Sequence, residues 1–212
     1  MARMRVILDG RAQSNGSPLL MHNERLADPL NEFSLEIGKI SKKRGKTEAD
    51  YLEIARLEFV GGMYFDEDLG PCVPTWNVVR CIQEAGKRHK LGASVLRGVI
   101  PAATMSPVQY DGPRDIEGMW EAGTFALRQS VGIGSSRTMR TRPVFTDWQL
   151  EAAIEVDLTI LDPEKINQLV EEAGRYQGLG DNRPVFGRFL GHAILDKATL
   201  TAADAEAVKE KS

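Results

Sequence analysis

An α+β fold is what this chain of 212 residues predicts: one antiparallel sheet, two helices packed against it, and a long excursion after the first strand. Three observations carry the prediction. The chain opens on a strand-like run, Arg3–Asp9 (RMRVILD), with Val6, Ile7 and Leu8 inside it. Two helical segments follow at a wide interval, each with a proline at its start. Leu150, Ala152, Ile154, Val156 and Leu158 are separated by single residues that include Glu151, Glu155 and Asp157, the period of a strand with one dry and one wet face.

The elements can be justified in order. From Ser14 to Gly70 the pattern is irregular, broken by Gly16, Pro18, Pro29, Gly38 and Gly45. Within it only Thr47–Phe59 reads as helical: Tyr51, Ile54, Ala55, Glu58 and Phe59 recur at helical spacing, and Thr47 and Asp50 can cap. A segment this long between regular elements reads as a functional excursion. Pro74 or Thr75 starts the first main helix, with Val78, Val79, Ile82 and Ala85 on one face. It closes at Lys87-Arg88-His89-Lys90, where cations suit the helix dipole. Val95–Ile100 reads as a strand, Ile116–Phe125 as a short helix. Ser130–Val144 and Trp148–Leu158 read as the arms of a hairpin turning at Thr146-Asp147. Asp162-Pro163 opens the second main helix, which runs to about Tyr176. A glycine-rich loop follows at Gly178–Pro184, then a last strand, Phe186–Leu195. With one strand added, this order is the split β-α-β pattern of ferredoxin-like and RNA-recognition folds. The domain is predicted to span 1–195, with 14–70 inserted and 196–212 a polar tail.

Composition excludes several classes. Hydrophobic and charged contents of 42% and 27% are those of a globular protein, and no apolar run is long enough to span a bilayer. The start has no signal-peptide pattern, and the spacing of Cys72 and Cys81 fits no metal motif, so a cytoplasmic protein with reduced thiols is expected. His22, His89 and His192 are scattered, and neither a nucleophile motif nor a metal-ligand spacing is present. No enzyme, cofactor or metal is expected, although His22 and Asp28 lie in the excursion, where such residues could serve strand cleavage.

The net charge of −3 does not advertise a nucleic-acid partner, but the distribution of base does. KISKKRGK places Lys42, Lys43, Arg44 and Lys46 in one short loop, where cations can follow a phosphate backbone. SSRTMRTRP carries Arg137, Arg140 and Arg142, with Arg140 and Arg142 on one side of a strand; Ser135, Ser136, Thr138 and Thr141 add hydroxyls. An alternative for these arginines is pairing with Glu151, Glu155 or Asp157 on the expected hairpin partner. The glycine loop offers Gly180 for close backbone approach and Arg183 and Arg188 for charge, without the ending of a nucleotide P-loop. Tyr64, Phe65, Trp76 and Phe186 can stack on bases or fill core, and no aromatic-bearing RNA-recognition motif is present.

Two segments resemble the RAMP superfamily, the RNA-recognition-fold proteins that include the backbone subunits of CRISPR effector complexes. GPCVPTWNVVRCIQEAGK (Gly70–Lys87) is similar to the entry into the first helix of such subunits, with Val73-Pro74 at the start and Arg80 one turn in. GLGDNRPVFGRF (Gly178–Phe189) is similar to the family's glycine-rich loop before the last strand. The helix entry departs from the family in having Thr75-Trp76-Asn77 where glycine and serine are favoured, and the loop has fewer glycines. The resemblance implies non-enzymatic binding of single-stranded nucleic acid, RNA over DNA, by several copies along a strand. It also implies an excursion that contacts the guide strand or a neighbouring subunit. Alternatives open at this point are a viral single-stranded-DNA-binding or annealing protein, a structural assembly protein of a virion, and a decoy of a defence complex.

Overall fold

The computed structural model describes residues 1–134 and 136–200. The first strand, β1 (Ala2–Asp9), buries Ala2, Met4, Val6 and Leu8 on one face and turns Arg3, Arg5, Ile7 and Asp9 to the other. After it come β2 (Leu19–Leu20), α1 (Glu32–Ser41), α2 (Glu48–Gly62), β3 (Phe65–Asp66) and β4 (Gly70–Pro74). The middle of the chain forms α3 (Thr75–Lys87), α4 (Gly92–Gly98), β5 (Val99–Pro101), β6 (Met105–Gln109) and α5 (Ile116–Ala122). The remainder forms β7 (Ala126–Ile133), β8 (Ser136–Phe145), β9 (Gln149–Val156), α6 (Pro163–Glu172) and β10 (Leu190–Leu195).

The main sheet has the order β10-β1-β9-β6-β4-β3, with β5 also on β9, and every pairing is antiparallel. Helices α3 and α6 cover its buried face and touch each other, so β1, α3, β5/β6, β9, α6 and β10 form the expected ferredoxin-like α+β pattern. A second sheet, β2-β8-β7, stands beside it. The core runs through both: Phe145, at the end of β8, packs edge-on to Tyr110, and Trp148 packs edge-on to Phe189. At Gly10 a side chain would collide with the Trp148 ring, and Trp148 Nε1 donates to the Ser17 carbonyl at 2.9 Å.

Three expectations need correction. Val95 belongs to α4, and only Val99–Pro101 is extended. Gly86 and Gly92 let α4 fold tightly back on α3, where Val95 is fully buried, so packing outweighs the β-branched preference. The expected hairpin does not form: β8 pairs with β7 across a turn at Gly134 (φ +58°), and β9 enters the main sheet. Its register on β1 sets Met4 opposite Ile154, Val6 opposite Ala152 and Leu8 opposite Leu150, so two dry faces coincide as arginine-bearing β8 could not match. The last strand starts at Leu190, because Phe186 and Gly187 donate to Asn182 and Pro18 carbonyls instead of to a sheet.

The excursion also holds a second helix, α1, in a stretch whose sequence pattern is irregular. Asn31 caps it by accepting from Phe33 N, and Gly38 inside it faces open space. The expected helix at Thr47–Phe59 is α2, held by a capping box between Thr47 and Asp50. Cys72 and Cys81 are buried and unbridged. No helix among the described residues is long and apolar enough to cross a membrane. Ser135 and residues 201–212 of the expected tail lie outside the described residues.

Candidate nucleic-acid interface

Four adjoining clefts with shared wall residues lie between the excursion and the rest of the domain. The first, about 400 Å³, lies between α2 and the β7–β8 hairpin and is lined by Lys46, Tyr51, Arg128, Arg137 and Arg140 among others. It shares Glu58, Arg140 and Thr141 with a second cleft of about 470 Å³, bounded by Leu26 and Ile37 and extended by His22 and Arg142. His22 is also a wall of a third, about 170 Å³, which carries Tyr64, Asn77 and Arg80 at the start of α3 and Arg183 from the glycine loop. A fourth shares Gly180, Asp181 and Arg183 with it and adds Glu84. Together these walls hold seven cations against three carboxylates, in a chain whose net charge is −3.

The cations divide into paired and unpaired. Arg140 Nη1 lies 2.5 Å from Glu58 Oε1, and the other Glu58 oxygen accepts from Thr141 N at 2.8 Å. Glu58 is 4% exposed, so this carboxylate is held by neutralisation and by a backbone donor. Arg142 Nε lies 2.7 Å from Asp181 Oδ2 as a contact ion pair without hydrogen-bond alignment. Arg80 lies 3.6 Å from Glu84. Lys46, Arg128, Arg137 and Arg183 meet no carboxylate among the described residues: Lys46 donates to the Ser41 and Lys43 carbonyls, and Arg137 to Ser130. Those four retain their capacity to neutralise phosphate. Burial holds the His22 imidazole below its ordinary pKa; Asp181 and Glu58 oppose that shift, and Arg142 and Arg140 reinforce it.

The expected site residues are thus only partly gathered. Lys46, Arg137 and Arg140 share one cleft, and Arg142 and Arg183 line its continuation. Arg140 and Arg142 of β8 pair with Glu58 and Asp181, not with Glu151, Glu155 or Asp157, because β9 lies in the other sheet. Lys42, Lys43 and Arg44 sit exposed between α1 and α2, where Lys43 Nζ contacts Asp50 at 2.7 Å and draws that carboxyl down to about 2. Gly180 (φ +84°) is needed for packing: a side chain there would come within 2.4 Å of the Leu20 carbonyl. Arg188 lies apart, on a cleft with Arg175 and His192.

Two contributors escaped the sequence reading. Tyr51 has the helical spacing of a core residue, yet it is 48% exposed and presents its ring to the first cleft. Arg128 is isolated in sequence, and the β7–β8 pairing sets it opposite Thr141, on the cleft that Arg137 also lines. Of the aromatic candidates, Tyr64 lines the third cleft and Trp76 is 41% exposed at the start of α3. No model of a known protein family matches the chain, and no curated protein matches it in sequence.

Proposed function

We propose that this chain is a cytoplasmic, non-enzymatic protein that binds single-stranded nucleic acid along these clefts. One observation carries the reading: four cations without carboxylate partners and the exposed Tyr51 ring line adjoining clefts on a chain that is acidic as a whole. Phosphates would lie on Lys46, Arg128, Arg137 and Arg183, and a base would stack on Tyr51. Such contacts position a strand without reading its sequence. The resemblance to RAMP backbone subunits favours RNA over DNA and several copies along one strand.

The test is fluorescence anisotropy with labelled single-stranded RNA, single-stranded DNA and duplex DNA over a salt series. Single-strand binding whose affinity falls steeply with salt is expected, and Arg128→Ala/Arg137→Ala should weaken it and reduce the slope by roughly 1 to 2. A preference for DNA would turn the reading to an annealing protein. Absence of binding to every probe near physiological salt would sink it, leaving structural assembly or a decoy role.

A further inference from the structure

We infer that a second copy of this chain docks on the open face of the main sheet, face to face about a two-fold axis parallel to the strands. The face opposite α3 and α6 is built from β10, β1, β9 and β5/β6 in that lateral order. Its outward residues form four stripes. On β10 they are Leu190, His192 and Ile194, with Leu190 and Ile194 47% and 44% exposed. On β1 they are Arg3, Arg5, Ile7 and Asp9; on β9 they are Gln149, Glu151, Ala153 and Glu155. On β5 and β6 they are Ile100, which is 42% exposed, and half-buried Met105 and Pro107, alternating with buried Ser106 and Val108. At the end of the sheet that holds Arg3, Arg5 and Glu155, the lateral order is therefore apolar (Ile194), basic, acidic, apolar (Ile100).

That order is its own complement. A two-fold axis running between β1 and β9 lays β1 over the partner's β9, and β10 over the partner's β5 and β6. The registers within one chain, Arg3 opposite Glu155 and Arg5 opposite Ala153, set the heights at which these side chains meet. Arg3 then faces the partner's Glu155, Arg5 lies at a height between the partner's Glu151 and the partner's Glu155, and Leu190 and Ile194 face the apolar stripe of β5 and β6. The same contacts recur with the copies exchanged, as a closed pair requires. Two aligned sheets pack in this way at about 10 Å separation. Within one copy Arg5 and Glu151 are 3.5 Å apart, with side chains 51% and 45% exposed. An exposed pair of this kind is weak, so breaking it within one copy costs little. Pairing along the sheet edge is less available: Asn167 of α6 occupies the outward N–H of Ala193 at the middle of β10. None of the groove cations lies on this face, so a pair would hold two grooves at once.

Sedimentation velocity of the full chain from about 1 to about 100 μM tests the pair, a range matched to a micromolar dissociation constant. The wild type should pass from monomer to dimer. Arg3→Glu/Arg5→Glu and Glu151→Arg/Glu155→Arg should each be folded by circular dichroism and each shift the midpoint at least tenfold toward monomer. Mixed together, the two variants should dimerise again, because their reversed charges complement each other in both halves of the interface. A wild type that stays monomeric throughout overturns the inference, as does a dimer indifferent to both reversals or variants whose mixture is not rescued. Nucleic-acid binding is read separately by anisotropy on the same samples, so loss of one property does not count against the other.

Discussion

Glu58 shows how one carboxylate sets both stability and charge in the groove. Buried beneath β8, it accepts from Arg140 and from Thr141 N. Glu58→Gln keeps an acceptor for the backbone but removes the charge. With Arg140 40% exposed, the loss is screened, and about 1 kcal/mol of stability should go in urea denaturation. The same change frees Arg140, so single-strand affinity should rise while stability falls. Asp9 gives a pH-dependent counterpart. Hydrogen bonds from Arg11, chiefly from its side chain, and from Ser14 draw its carboxyl down to about 2 from an ordinary 3.8. The folded state therefore gains stability above pH 3.8, and loses it as pH falls towards 2. Allowing for solvent screening, Asp9→Asn should cost about 1 kcal/mol at neutral pH. The gap from wild type should close between pH 4 and pH 2 in acid-denaturation curves.

At the scale of elements, the parts legible in the sequence are those whose partners are dictated by their own periodicity. Helices α3 and α6 bury Val78, Val79, Ile82, Ile166, Leu169 and Val170 at helical spacing, and β9 buries every second residue. What escaped depended on contacts between distant segments: α4 is made by its fold-back on α3, and β8 takes its partner from β7 because Gly134 allows the turn. The site shared this fate. The arginine cluster was visible as a motif, but its acids lie on α2 and in the glycine loop, remote in sequence. Burial also separates the elements in stability. Helix α1 buries no residue fully and α3 buries seven, so hydrogen exchange should leave α1 amides far less protected than those of α3. Thr47→Ala removes the capping box of α2 and should lower stability by about 1 kcal/mol, seen as a shift in the urea midpoint.

For the whole molecule, the groove lies along the boundary between the excursion and the main sheet's helices, and no single unit contains it. Its charge is local: seven cations and three acids along the walls, against 27 basic and 30 acidic residues in the chain. Raising ionic strength should therefore weaken strand binding without a comparable effect on folding, which rests on the shared apolar core. Anisotropy and thermal unfolding across one salt series would separate the two.

The placement of the three tryptophans gives this chain its own optical readouts. Trp148 is fully buried at the joint between the sheets, Trp120 is tilted against Phe59 of α2, and Trp76 stands 41% exposed beside Asn77 of the third cleft. Aqueous iodide reaches Trp76 first, Trp120 reports on the excursion, and Trp148 stays dark to quencher until the molecule opens. Single-tryptophan variants would turn one emission spectrum into three, following the groove, the inserted segment and the interior during a single titration.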